Sequence, residues 1–398
     1  VIPFRADYLF DRRALYSEAF EEFYRRFGQQ FYDPRLHGVD WKAIRAKYAS
    51  QLDAVATPQE FSDLLSKMVG EVNSSHSEIA PNIKEFGPTQ YSLGATFDAA
   101  YSGPGLKVLA PLPKGPADKP AARIAPGEYI LSVDGTDVTF NEAFYEMLQS
   151  KGNKTVELLV NGKPTKDGAR TVRIRTIGMA EWARLFEDGR LRHNRDLVDK
   201  ISGGRLAYIH VDSMMPDSLK QYRRELYSDA VNKEGLVLDI RGNGGGRNDV
   251  DEAILQSLSP QVYGYTQARD AQRQTLPTKA WTKPVVLLID QHSASAAEIF
   301  PSGFRAEHLG KIVGVATPGY LIGTYDDNTL VDGTKFRLPT WGFFNEKGQN
   351  LENHGIVPDI PVENTPEDYA KGRDRQLEAA IATALQELPP HADTTAQR

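Results

Sequence analysis

Hydrophobic positions recur at helical spacing early in the chain and at strand spacing later. Leu15, Ala19, Phe20, Phe23 and Phe27 share one helical face, with charged residues between them. Past Asp33-Pro34 and His37-Gly38 a second helix is expected from about Asp40-Trp41. Thr57-Pro58 has the form of an N-cap followed by Pro in the first turn, and Phe61, Leu64, Leu65, Met68 and Val69 supply the apolar stripe of a third helix. These stripes read as core. From about Pro88 to Thr176 the pattern changes to short β-like runs (106–109, 129–133, 155–160, 170–174) between Gly, Pro and Asp turns, with one amphipathic helix at 141–149. A charged helix over 179–197 follows. Apolar runs at 205–211, 236–240, 285–290 and 311–315 then alternate with helical stretches at 218–230, 249–258 and 296–308, which predicts a buried, largely parallel sheet. A last helix at 375–388 precedes a polar end.

These shifts predict a multidomain α+β chain: an N-terminal helical domain over 1–87, a β module over 88–178, a linker helix over 179–203, an α/β domain over 204–388 and a disordered tail over 389–398. A length of 398 residues suits two or three domains of about 150 each. With 47 Lys and Arg against 53 Asp and Glu, the net charge of −6 argues against a general nucleic-acid binder, which needs a basic surface to displace counterions. The longest aliphatic run, 285–289, is far short of the roughly 20 residues that span a bilayer, so no membrane span is expected. The absence of Cys removes disulfides, thiolate metal sites and cysteine nucleophiles, but it does not fix the compartment. The start, Val1-Ile2-Pro3-Phe4-Arg5, has neither an initiator Met nor an apolar signal core, as expected of a mature product or a fragment. A bacterial or archaeal cytoplasm and a periplasm reached through a removed signal peptide both fit.

The β module resembles a PDZ domain. Its segment Gly127–Gly135 reads as a strand closing in an Asp-Gly turn. Tyr91-Ser92-Leu93-Gly94-Ala95-Thr96-Phe97 stands where a carboxylate-binding loop receives a peptide C-terminus as an added strand. A generic small β module is the plain alternative.

Two loops carry candidate chemistry, each directly after a buried strand. Asp239-Ile240-Arg241-Gly242-Asn243-Gly244-Gly245-Gly246 holds four glycines in five positions. Such a turn is costly in chain entropy but allows positive φ, and its successive N–H groups can receive a phosphate or an oxyanion. No Lys-Ser/Thr follows and the Rossmann spacing is not met, so the phosphate reading fails; a tight strand–helix turn stays open. In Asp290-Gln291-His292-Ser293-Ala294-Ser295-Ala296-Ala297-Glu298 a strand feeds a small-residue turn that opens a helix. A hydroxyl there gains from the helix dipole as it becomes a nucleophile, although an ordinary Ser N-cap has the same appearance.

A nucleophilic Ser needs a base. His210 ends an apolar strand, His193, His308 and His391 lie in charged or terminal stretches, and His37 belongs to a loop. His76 sits in the hydroxyl-rich turn Asn73-Ser74-Ser75-His76-Ser77-Glu78, where a neighbouring hydroxyl can orient it; His292 and His354 flank the candidate loops and compete for the role. No HExxH or other metal-ligand spacing appears, so neither a metal nor a cofactor is expected.

Taken in order, these residues resemble the tricorn-type branch of the C-terminal-processing, or tail-specific, serine peptidase clan. The resemblance runs from Phe31-Tyr32-Asp33-Pro34 and His37-Gly38-Val39-Asp40-Trp41 through Ser75-His76 and the PDZ-like block. It continues over Lys233-Glu234-Gly235-Leu236, the Asn-Gly-Gly-Gly loop, Ile299-Phe300-Pro301 and Glu352-Asn353-His354-Gly355-Ile356-Val357-Pro358-Asp359. It implies a helical subdomain, a PDZ-like module and an α/β (ClpP/crotonase-like) catalytic domain. It further implies Ser295 as nucleophile, His76 as base, Glu352 as the relay carboxylate with Ser75 supporting the base, and Ala296 with Gly244, Gly245 and Gly246 as the oxyanion hole. The substrate implied is a peptide or unfolded protein, and a homo-oligomer is allowed. Tail-specific relatives use a Ser/Lys dyad with Lys in a Gly-Lys-Gly turn; here Thr317-Pro318-Gly319-Tyr320-Leu321 puts Tyr320 in that place, and a phenol with a pKa near 10 is a poor base. Lys311 and Lys335 are the conceivable substitutes. The competing readings are an inactive peptide- or lipid-binding member of the same fold and a crotonase-like acyl-transfer enzyme.

Overall fold

The computed structural model describes residues 11–83, 87, 89–259, 264–269, 273–276, 281–324 and 327–389; the expected disordered tail, apart from Pro389, lies outside them. By internal contacts the chain forms two units, Val1–Lys84 with Val198–Arg398, and Glu85–Leu197.

In the first unit the helices Arg12–Gln30, Trp41–Ala49 and Pro58–Gly70 start where local chemistry starts them. Asp11 and Asp40 accept first-turn N–H groups, and Thr57 with Glu60 closes a capping box. Their stripes bury Phe20, Phe23, Phe27, Phe61, Leu65 and Met68 completely. This core is shared, because Leu330, Phe336 and Leu338 from late in the chain complete it, with Phe23 edge-on to Phe336 at 5.2 Å. The strand Ile79–Ala80 pairs antiparallel with Lys335–Arg337, setting Ile79 opposite Phe336. Three short helices bury too little apolar surface to stand alone, which explains why the core closes over residues from both ends of the unit.

The same unit contains a five-stranded sheet, in the order Leu206–His210, Gly235–Asp239, Val285–Ile289, Gly310–Gly314 and Ile360–Pro361, parallel throughout. The first three strands are buried at every residue, which accounts for their unbroken apolar runs. The fifth strand is only two residues long and carries Pro361 at the sheet edge, leaving little periodic signal to read. Pro216–Ser228 begins two residues before the expected start, with Pro at its first turn.

The second unit is antiparallel. Ala95–Phe97, Leu106–Pro111, Tyr129–Val133, Thr155–Asn161 and Arg170–Arg175 follow one another across the sheet. Asp134 and Gly135, at φ 48° and 79°, turn the chain back into Thr136–Asp137, as the Asp-Gly pair predicts. Ala95–Phe97 lies at the sheet edge, and a cavity of about 400 Å3 there is lined by Leu93, Phe97, Phe144, Leu148 and Trp182. The helix Met179–Ser202 runs five residues past the charged pattern read over 179–197 and stops one residue short of the linker bound at 203.

A buried ionic cluster ties the glycine loop to the C-terminal helix. Asp239, fully buried at the end of its strand, receives the Arg241 guanidinium at 2.7 and 3.0 Å and the Tyr208 hydroxyl at 2.8 Å. Arg241 also reaches Asp374 at 2.9 Å, and Asp374 caps the helix Arg375–Glu387. Burial pushes the Asp239 carboxyl up, but the guanidinium more than offsets it and holds the group far below the usual carboxylate range. Removing Arg241 leaves two carboxylates without their cation. Arg241→Met is expected to lose about 3–5 kcal/mol of stability in urea unfolding. A loss under about 1 kcal/mol contradicts this role for the cluster.

Candidate active site

The turn after Val285–Ile289 is laced to the glycine loop. Asp290 Oδ1 accepts the N–H groups of Gly242 and His292 at 2.9 and 3.0 Å. Ser293 donates its hydroxyl to the Ile240 carbonyl at 3.0 Å, and the Ala294 N–H reaches the Asn243 carbonyl at 2.9 Å. Ser295 then opens the helix Ala296–Ala306 with φ 59° and ψ −125°, a backbone conformation that costs a non-glycine residue about 1–3 kcal/mol. A strained strand-to-helix turn of this kind holds a hydroxyl out at the helix N-terminus.

Gly245 is what allows the two loops to touch. A Cβ there, at φ +94°, would lie 2.6 Å from the Ala294 carbonyl and 2.7 Å from Ser295 Cβ. Asn243, fully buried, accepts the Gly245 N–H at 2.9 Å and donates to the Val211 carbonyl at 3.0 Å. The Gly245 N–H is therefore engaged inside the loop. Those of Gly244, Gly246 and Ala296 meet no acceptor among the described residues.

The histidine half is built on a second tight turn. His76 has φ 54° and is half-buried, with Nδ1 3.0 Å from Ser75 Oγ. The Ser75 N–H donates to Glu352 Oε1 at 2.8 Å, and Glu352 is 4% exposed. Asn353 braces the turn by donating to the Asn73 carbonyl at 3.0 Å. Burial, then the nearby Arg337 charge, pulls the His76 pKa below its ordinary 6.5, while Glu78 and Glu352 oppose the shift. The shift favours the neutral ring. A cavity of about 370 Å3 opens beside it, lined by Asn73, Ser75, His76, Ser77, Tyr320 and Asn353.

Residues 319–321 connect the halves. Glu298, with no exposed surface, accepts the Gly319 N–H at 2.7 Å, the Tyr320 N–H at 2.5 Å and the Ser295 N–H at 3.4 Å. The next N–H, of Leu321, goes to Glu352 Oε2 at 2.7 Å. Burial pushes the Glu298 pKa up, while the Thr317 side chain and the N–H groups of Gly319, Tyr320 and Ser295 pull the other way. Gly319, at φ +88°, packs so closely on the 353–354 backbone that a Cβ would come within 2.7 Å of the His354 nitrogen.

The sequence-derived candidates therefore fall into two clusters: Ser295 and Ala296 with Gly244, Gly245 and Gly246, and His76 with Ser75 and Glu352. No hydrogen bond joins Ser295 to His76 in the structure. The competing bases are placed otherwise: His292 is exposed with its ring on Gln291, and His354 Nδ1 lies 2.8 Å from the Glu352 carbonyl. Lys311 and Lys335 are both exposed and make no bond to Ser295. Among the described residues no group of His, Asp and Glu has the spacing to hold a metal ion.

Sequence reasoning missed two contributors. Glu298 sits three residues after the Ser N-cap, a capping-box spacing that pointed to it. His37, read as a loop residue, bonds the Tyr32 hydroxyl at 2.6 Å and the Val72 carbonyl at 2.9 Å, while Asn350 donates to the same hydroxyl at 2.9 Å. It thereby supports the segment leading into the His76 turn.

Residues 205–362 match the family described as Peptidase family S41, residues 12–70 the tricorn protease C1 domain and residues 107–178 the tricorn protease PDZ domain. Three successive stretches of the chain thus match tricorn-type modules and peptidase family S41. It is 32% identical over 94% of its length to "Tricorn protease homolog 1" of Streptomyces coelicolor, covering 35% of that protein. It is 31% identical over 88% of its length to "Tricorn protease homolog" of Saccharolobus solfataricus, covering 33% of it. The chain thus spans about a third of the length of these relatives. The crystal structure of the tricorn protease superposes with a TM-score of 0.77 over 94% of this chain and 37% of that one, at 23% identity, which shows the fold. The predicted helical region, PDZ module and parallel-sheet α/β domain are the tricorn-type arrangement. Among the described residues no helix is long and apolar enough to cross a membrane.

The glycine loop gives a paired test. A Cβ at Gly244 meets nothing within 4 Å and its φ is not positive, whereas one at Gly245 collides with the Ser295 turn. Gly244→Ala should leave stability within about 0.5 kcal/mol, and Gly245→Ala should lose about 1–3 kcal/mol in denaturant unfolding. Equal effects would contradict the close approach of the two loops.

Proposed function

We propose that this chain is a serine-type peptidase that hydrolyses extended peptides or unfolded chain ends through an acyl-enzyme on Ser295. The observation that carries the reading is the run from Glu352 through Ser75 to His76 Nδ1, taken together with the Ser295 hydroxyl at a strained helix N-terminus. With Nδ1–H given to Ser75, Nε2 keeps a free lone pair and serves as the base.

In this mechanism His76 Nε2 takes the Ser295 hydroxyl proton as Oγ bonds to the scissile carbonyl carbon. The negative oxygen that results is received by the free N–H groups of Ala296 and the glycine loop. The imidazolium then protonates the departing amine nitrogen as the C–N bond breaks. Water, deprotonated by the same ring, attacks the ester, and the proton returns to Ser295 as the acid product leaves. This proton transfer requires a Ser295–His76 hydrogen bond in the substrate complex, a bond the structure does not show. Glu352 orients Ser75 and thereby the ring; it carries no proton.

A second reading, an inactive peptide-binding chain, draws on the same missing Ser295–His76 bond. A fluorophosphonate label separates the two. Wild-type protein should be modified at Ser295, Ser295→Ala should not be labelled, and His76→Ala should lose peptide hydrolysis with the fold intact. Labelling at another serine, or undiminished turnover by His76→Ala, overturns the proposal. Because the base works only when neutral and its pKa is depressed, kcat/KM should rise with pH along an acid limb below 6.5. A limb near 8 or above points to an amine base instead.

A further inference from the structure

The nucleophile turn holds a buried acid to which the mechanism above gives no part. Glu298 lies in the first turn of the helix that Ser295 opens, and its side chain is wholly buried. Its Oε1 accepts the Gly319 N–H at 2.7 Å, and its Oε2 accepts both the Tyr320 N–H at 2.5 Å and the more distant Ser295 N–H at 3.4 Å. The Thr317 side chain also favours the charged form of this carboxylate, and its hydroxyl accepts the Ile356 N–H at 2.7 Å. Several donors thus converge on one group from two separate stretches of chain. Only an acceptor-only side chain with two oxygens satisfies such a set; an amide would point its own N–H bonds at one of the donors. A buried N–H left without an acceptor is penalised, so these donors and the carboxylate hold one another in place.

The stretch that Glu298 grips matters because of what it touches next. Tyr320 lines the cavity beside His76, and the Leu321 N–H is held by Glu352, whose other oxygen accepts the Ser75 N–H. We propose that Glu298 is a positioning residue for the peptidase reaction: through the backbone N–H groups of Ser295, Gly319 and Tyr320 it sets the nucleophile turn in register with the strip that leads to His76. It touches no substrate and carries no proton. Its part is to keep two loops from sliding past each other, since a misplacement of about 1 Å between reacting groups lowers rate by on the order of 100-fold.

This inference rests on Ser295 being the nucleophile, and the experiment keeps the two claims apart. Glu298→Gln preserves size and shape but replaces one acceptor oxygen with a donor. The variant should fold, as judged by circular dichroism and its urea midpoint, and should still label with fluorophosphonate at Ser295. Labelling rate and kcat should both fall by about 10- to 100-fold while KM for a peptide stays within about twofold, because the substrate-contacting groups are unchanged. Glu298→Asp, which keeps both oxygens on a shorter stem, should recover part of the loss. Amide hydrogen exchange at Gly319 and Tyr320 should be slow in the resting wild type and accelerate in Glu298→Gln, a readout that needs no activity. Wild-type labelling and exchange rates in a folded Glu298→Gln overturn the inference, as does a loss seen only in KM. If the wild type itself fails to label at Ser295, the peptidase reading falls, and the exchange data alone then decide whether Glu298 fixes the strip.

Discussion

Two buried carboxylates grip three consecutive residues, and the geometry of the candidate site depends on that grip. Glu298 takes the N–H groups of Gly319 and Tyr320, and Glu352 takes that of Leu321. Each carboxylate also holds one half of the proposed chemistry, Glu298 the N–H of Ser295 and Glu352 the N–H of Ser75. The hydroxyl and the imidazole come from positions 219 residues apart in sequence (295 − 76 = 219). They are referred to one short strip of backbone rather than to each other. Backbone N–H groups are fixed donors that cannot rotate away, which makes them a firmer reference than a pair of side chains.

That arrangement accounts for where strain and burial are concentrated. Ser295 and His76 both adopt positive φ, and both sit in turns braced by hydrogen bonds from elsewhere in the chain. A strained residue persists only where its surroundings over-determine it. The Asp239–Arg241–Asp374 cluster does this for the base of the glycine loop, and the Tyr32–His37–Val72 contact does it for the approach to the His76 turn. The shared aromatic core, with Phe336 among Phe23 and its neighbours, ties the helical segment that leads to the His76 turn to the later part of the chain from which Glu352 follows.

Much of this was legible in the sequence because the signals were local. The capped helices, the Asp-Gly turn, the buried parallel strands and the glycine loop each follow from a periodicity or a turn residue within a short window. What escaped was set by long-range contacts. The strand Ile360–Pro361 is too short to show a pattern, and the pairing of Ile79–Ala80 with Lys335–Arg337 joins segments more than 250 residues apart. His37 read as a loop residue because its partners, the Tyr32 hydroxyl and the Val72 carbonyl, meet it only in the fold. Glu298 carried no role in the sequence reading, since nothing near it in sequence reveals that Gly319 and Tyr320 will point at it. The candidate site residues were nameable from their order along the chain, but the strip that links them was not.

The most direct test of the account is a crystal structure of the chain phosphonylated by a fluorophosphonate. It should show phosphorus on Ser295 Oγ, a phosphonyl oxygen on the Ala296 and glycine-loop N–H groups, and His76 Nε2 within hydrogen-bond reach of Ser295 Oγ. Residues 319–321 should remain on the Glu298 and Glu352 carboxylates. An adduct in which His76 stays out of reach, or in which the strip has left either carboxylate, would contradict it.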